Sequence, residues 1–138
     1  MVSGIITGTD QSYQVRVPAH AASTSTERVV LVYASFAMRI KAVRHVPDTI
    51  VTGANTNTTH LNLIDAGASG AGTTEMGNID YVNGTDTPAE DARAFTTSGS
   101  TFTAFTLDAG DVFSLQYEKV SNGLAIPAGM IVIEFEPR

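Results

Sequence analysis

The sequence predicts an all-β protein, an antiparallel sandwich or barrel of about eight short strands with at most one short helical turn. Three observations predict it. First, apolar and polar residues alternate with a period of two near the C-terminal end. Phe113, Leu115 and Tyr117 share one parity against Ser114, Gln116 and Glu118, and Ile131, Ile133 and Phe135 share one against Glu134 and Glu136. Successive strand side chains point to opposite faces, so this is the pattern of a half-buried strand. Second, turn-forming clusters such as Asp108-Ala109-Gly110-Asp111 and Ser121-Asn122-Gly123 recur between the apolar runs. Third, the chain carries 18 threonines, and β-branched residues suit a pleated surface.

Each element follows in order. Residues 1–13 hold Gly4, Gly8 and several polar residues around Ile5 and Ile6, and read as an extended N-terminal arm. Residues 14–138 read as one sandwich domain. Tyr13 to Val17 alternates and stops at Pro18, a short first strand. Thr24 and Glu27 have capping-box spacing, but the β-branched residues that follow have no helical stripe. Val29-Val30-Leu31-Val32-Tyr33 is apolar on both parities, as in a strand covered on both faces. Met38, Ile40 and Ala42 share an inward parity that breaks at Val43 and Arg44, so a bulge or strand end is expected near residues 43–45. Thr59 to Asp65 and Glu75 to Val82 are the next strands, with the Gly67–Gly72 loop between them. Thr87, Pro88 and Glu90 have the order of a helix cap, first position and third position, which predicts a helical turn over Thr87–Ala94. A further strand is expected at Thr101–Leu107.

Composition narrows the function. The 138 residues hold no Cys and no Trp, 14 acids against 8 Lys and Arg, and a net charge of −6. A domain of this size can bury a full core without staples. Lack of Cys removes disulfides, thiolate metal sites and thiol catalysis. Acidic charge argues against nucleic acid as a partner, because phosphate binding rests on clustered Lys and Arg. No apolar run approaches a membrane span, so no membrane partner is expected. The first residues lack a charged and apolar leader, so folding in the cytoplasm is the expectation.

The chemistry-bearing residues do not form a known constellation. His20, His45 and His60 share no ligand spacing, and no HxH or HExxH is present. Asp108 and Asp111, with Asp65 or Glu118, read as turn chemistry rather than a cation site. No Gly-x-Ser-x-Gly elbow occurs, and the glycines of Gly67–Gly72 lack the order of a dinucleotide loop. The reading is therefore no enzyme, no catalytic residue, no metal and no cofactor. Surface remains. Ile5 and Ile6 in a polar arm, Val30 and Val32 on the two-sided strand, and Leu124 and Ile126 in the loop before the last strand exceed the need of one small core. These six are the candidate subunit or partner contacts.

The order of features resembles small head-decoration (capsid-stabilising) proteins of tailed bacteriophages, which have a jelly-roll-like fold. The resemblance rests on Glu27-Arg28-Val29-Val30-Leu31-Val32, Met38 to Val43 with Val46-Pro47-Asp48, and Ile50 to Asn57. It continues through Leu61-Asn62-Leu63-Ile64 with the Gly67–Gly72 loop, and the pair from Ala109-Gly110-Asp111-Val112 to Ala125-Ile126-Pro127-Ala128-Gly129. It covers most of the chain from Glu27 onward. It implies a jelly-roll-like sandwich and a homotrimer on the exterior of a virion capsid, clamping neighbouring copies of the major capsid protein. Residues 1–13 suit the arm that such proteins extend to capsid or neighbour. The alternative is a trimeric jelly-roll binding module, such as a fibre or receptor-binding head, with specificity in the Gly67–Gly72 and Asp86–Ala94 loops.

Overall fold

The computed structural model describes residues 10–138, which form eleven strands and no helix. They are β1 (Gln11–Val17), β2 (Glu27–Tyr33), β3 (Met38–Pro47), β4 (Val51–Thr52), β5 (Thr58–Asp65), β6 (Thr74–Tyr81), β7 (Asp86–Thr87), β8 (Arg93–Ala94), β9 (Phe105–Leu107), β10 (Val112–Val120) and β11 (Gly129–Pro137). One sheet runs β1-β11-β3-β8, with β9 also on β3. The other runs β2-β10-β5-β6, and β4 pairs with β7 as a separate ribbon. Every strand pairing is antiparallel.

The alternating residues of the two sheets meet in one core. Met38, Ile40, Val43, Ile131, Ile133 and Phe135 come from the first sheet. Leu61, Leu63, Ile79, Tyr81, Phe113, Leu115 and Tyr117 come from the second, and all are buried. The chain is thus an antiparallel β-sandwich whose last two long strands, β10 and β11, lie centrally in opposite sheets.

Three bulges interrupt the pairing: one leaves Met76 extra in β6, and the other two reset which residues of β2 and β3 face inward. In β2 the register steps from Val30 opposite Ser114 to Val32 opposite Phe113, leaving Leu31 extra. Both Leu31 and Val32 are buried as a result, at 7% and 5% exposure, because the bulge breaks the period of two. In β3 the step falls between Ile40 and Ala42, so Lys41 is the extra residue. The inward parity then passes to Val43 and His45. The sequence places this switch a few residues later than the structure does.

Other expectations also shift. β1 starts at Gln11, so residues 11–13 are strand rather than the end of an arm. Asp10 is held by Lys41 Nζ at 2.7 Å. No helical turn forms at Thr87–Ala94. Thr87 ends β7 with its Oγ1 bonded to Tyr81 Oη at 3.0 Å rather than capping a helix. A turn follows, with the Asp91 amide donating to Pro88 O and Glu90 at φ 60°. The strand expected from Thr101 shortens to β9, because Thr97 and Ser100 close a tight turn before it.

Gly53 shows how closely the ribbon packs. A Cβ there would lie 1.8 Å from Val82 O, so only glycine permits the β4 end to pass the β6 end.

Candidate functional site

The sequence-derived contact residues fall in different environments. Ile5 and Ile6 lie outside the described residues. Val30 faces outward at 60% exposure, opposite Ser114 on the outer face of the second sheet. Val32 does not join it. The β2 bulge turns it inward against Phe113, which corrects the expectation that Val32 is a contact residue. Ile126 is also core, 1% exposed, and its backbone exchanges hydrogen bonds with His20 at 2.7 and 2.8 Å. Leu124 is half-buried, and its backbone sits in a closed polar knot. Its amide donates to Thr59 Oγ1, and its carbonyl accepts from Thr59 Oγ1 and from Lys119 Nζ, both at 2.8 Å. Burial lowers the Lys119 pKa. The 121–128 loop is thus fastened to its own domain through Leu124 and Ile126.

Exposed apolar surface lies elsewhere. Tyr33, Val30 and Ile50 are at least 60% exposed, and Tyr13 and Phe36 more than 40%. Tyr13 and Phe36 flank Phe135, with ring centroids at 5.5 and 6.4 Å from it. With Gln11, Ser12 and Pro137 these rings line an open groove of about 390 Å³ beside the start of β1. At the other end of the sandwich Ile50 borders a second groove of about 470 Å³, walled by Ala19, His20, Ala125, Ile126 and Pro127. Sequence reasoning missed Tyr13, Phe36 and Ile50. Tyr13 has the inward parity and is exposed because β1 is an edge strand; Phe36 and Ile50 sit in connections that carry no periodicity.

The polar groups serve the scaffold. His45 Nδ1 and Tyr81 Oη are 2.9 Å apart and join the two sheets across the core. Burial pushes the His45 pKa down to about 4. His20 stacks on Tyr117 with centroids 4.3 Å apart, and its Nε2 lies 2.8 Å from Glu27 Oε2. Burial raises the Tyr117 hydroxyl to about 12. Asp111 accepts a hydrogen bond from the Asp108 amide at 2.9 Å, and Asp65 one from the Gly67 amide at 3.0 Å, which is turn chemistry. Among the described residues no group of three or more His, Asp or Glu side chains is placed to hold a metal ion.

Comparison with known proteins adds little. No protein-family model matches the chain, and no curated protein matches it. Among solved structures it is similar to T=1 particles derived from infectious bursal disease virus, at 11% identity and a TM-score of 0.26, over 93% of this chain and 40% of that one. It is also similar to a VP2 subviral particle of that virus, at 11% identity and a TM-score of 0.25, over 94% and 41%. A third is the Gx strain structure, at 13% and 0.26, over 93% and 40%. These weak neighbours are viral capsid proteins, and the chain spans about two fifths of their length. Likeness at these TM-scores carries no argument about function.

Proposed function

We propose that this chain is a structural virion protein that acts by binding, seated as a trimer on the outer surface of an expanded phage capsid and stabilising it. The observation that carries the reading is the apolar surplus on one flank of the sandwich. Tyr13, Val30, Tyr33 and Phe36 lie exposed along or beside β1 and β2, the two edge strands of that flank. Tyr13 and Phe36 flank Phe135 beside β1, and Val30 and Tyr33 stand on the outer face of β2; exposed apolar groups of this kind mark surfaces that meet other proteins. The strand order β1-β11-β3-β8 against β2-β10-β5-β6 supports reading the sandwich as a jelly roll, in keeping with the sequence resemblance.

The mechanism is linkage. A protein that binds the assembled shell and not its separate parts stabilises the shell by mass action. Three copies joined as a trimer multiply a modest contact. The test has two stages: native mass spectrometry at micromolar concentration, then sedimentation with expanded capsids of the phage that encodes the chain. A trimer that co-sediments and raises the capsid's melting temperature supports the reading. Failure to co-sediment with intact expanded shells overturns it.

A further inference from the structure

The outer face of the β2-β10-β5-β6 sheet carries a polar array that the core does not use. Register places Glu118, His60 and Asp80 in one row across β10, β5 and β6, and Gln116, Asn62 and Asn78 in the next. Residues directly opposite on neighbouring strands share a face at about 5 Å. Six hydrogen-bonding side chains therefore form one surface, and Asn62 is at its centre.

Asn62 is 2% exposed. Its Nδ2 donates to Gln116 Oε1 at 3.0 Å and to Glu118 Oε2 at 2.7 Å, both on β10. Its Oδ1 is buried and has no hydrogen-bond partner. One row along β6, Asp80 Oδ1 is also buried without a hydrogen bond, and His60 Nδ1 stands 3.5 Å from it. Buried acceptors are normally satisfied, so two orphans on one face ask for a donor.

The same face is short of positive charge. Glu75, Asp80 and Glu118 all lie on it, and the first is raised in pKa by burial and then by the charges of the other two. Arg28 is committed elsewhere, donating to Gly72 O at 2.8 Å, and Arg93, which lines a groove with Asn78 and Asp80, donates to Asp86 O at 3.2 Å. His60 lies between Asp80 and Glu118, 3.8 Å from the latter. The complement of such a surface brings both donors and positive charge.

We propose that this face, centred on Asn62, receives a basic side chain, a lysine ammonium or an arginine guanidinium, from a partner protein. An ammonium carries three donors and a guanidinium five, with no acceptor on either, which suits the part-exposed carboxylates of Asp80 and Glu118 that flank the buried, unbonded Asn62 Oδ1. Bonds from a charged donor to carboxylates are stronger than neutral ones. The inference goes beyond the capsid reading and does not rest on it, since it concerns the chemistry of the segment that docks and not the particle that carries it.

The test uses the full chain, labelled with nitrogen-15 and titrated at low salt with the peptide acetyl-Gly-Lys-Lys-Gly-amide. The control is the same peptide acetylated on both lysine side chains. Amide shifts are expected at residues 60, 62, 78, 80, 116 and 118, and none with the acetylated control. Asp80→Asn and Glu118→Gln are each expected to weaken binding about fivefold, the size of a partly screened ion pair. Glu90→Gln, on a remote turn, is expected to leave it unchanged. Glu118→Gln keeps the oxygen to which Asn62 donates, so it reports on charge even where Asp80→Asn disturbs the sheet. Shifts spread evenly over Asp86, Asp91, Asp108 and Asp111 would overturn the proposal. Equal binding of the acetylated peptide, unchanged affinity in both face variants, or no binding at millimolar peptide would do the same.

Discussion

The two long flanks of the sandwich are built differently. Along one, β6 and the segment after β8 are sewn together by reciprocal backbone bonds between Asn78 and Thr96, at 2.8 and 3.0 Å. Phe95 is buried there, and the Phe102 ring lies so near Gly77 that a Cβ would come within 3.1 Å of it. His45, Tyr81 and Thr87 tie the sheets together behind that seam. Along the other flank β1 and β2 each have a single strand partner among the described residues, and their rims carry Tyr13, Val30, Tyr33 and Phe36. One flank satisfies its edges and apolar groups within the chain. The other leaves both open, and an open strand edge is a template for pairing with another protein. The contrast teaches that apolar content alone does not locate a contact surface. The proposed surface is the flank where closure within the chain stops.

The largest expected effects come from substitutions that exchange the two environments. Val32→Asp puts a carboxylate against Phe113 in the core and is expected to destabilise by about 3 kcal/mol or more, or to prevent folding. Val30→Asp, two residues away on the exposed face, is expected to change stability by no more than about 0.5 kcal/mol and to weaken assembly. Urea unfolding of both proteins, with mass measured in parallel, reads the difference. Equal losses of stability would erase the contrast at β2. The same comparison across flanks sets Phe95→Ala, expected to cost about 3–5 kcal/mol, against Phe36→Ala, expected to cost less than about 1 kcal/mol.

A pH effect of intermediate size belongs to the closed flank. The folded-state pKa of His45 is about 4, below the ordinary histidine value of 6.5, because burial disfavours the imidazolium. Between those values the unfolded chain binds the proton and the folded chain does not. Stability from this group is therefore full above about pH 6.5 and falls as the pH drops toward 4, by about 3 kcal/mol in all. Stability curves of wild type and His45→Gln should converge in slope above pH 7 and diverge between 6.5 and 4. Parallel curves through that window would show that His45 does not carry the linkage.

These comparisons also show what the sequence made legible. The β10 and β11 alternation was readable because each strand has one face on the core and one outside it, so burial and parity coincide. Val29 to Tyr33 reads as two-sided because a single bulge residue, Leu31, shifts the parity in mid-strand. A bulge depends on the partner's register, which no local pattern contains. Thr87-Pro88-x-Glu90 carried a valid helix-start pattern, and tertiary contact overrode it when Tyr81 took the Thr87 hydroxyl. The candidate surface was legible only at Val30. Tyr13 is exposed because of where β1 sits in its sheet, and the polar array around Asn62 exists only once three strands are in register. Neither position in space leaves a trace in local sequence.

The smallest expected effect is on the open flank's own charges. Arg16, on the edge strand β1, makes a two-pronged contact with Asp48 at 2.9 and 2.6 Å, and both side chains are about half exposed. The Arg16 guanidinium holds the Asp48 carboxyl below its usual range, chiefly through the hydrogen bond. The depressed carboxylate stabilises the fold above its ordinary pKa, and that contribution fades as the pH falls through the lowered value. Water and salt screen so exposed a pair. Asp48→Asn is therefore expected to leave the melting temperature at neutral pH unchanged within error. If the open flank is a contact surface, the same variant should alter the salt dependence of the association rate, because rim charges steer encounter more than they hold a complex. A rate with the same salt dependence in wild type and variant would place this pair outside the contact and confine the binding flank to its aromatic and β2 portions.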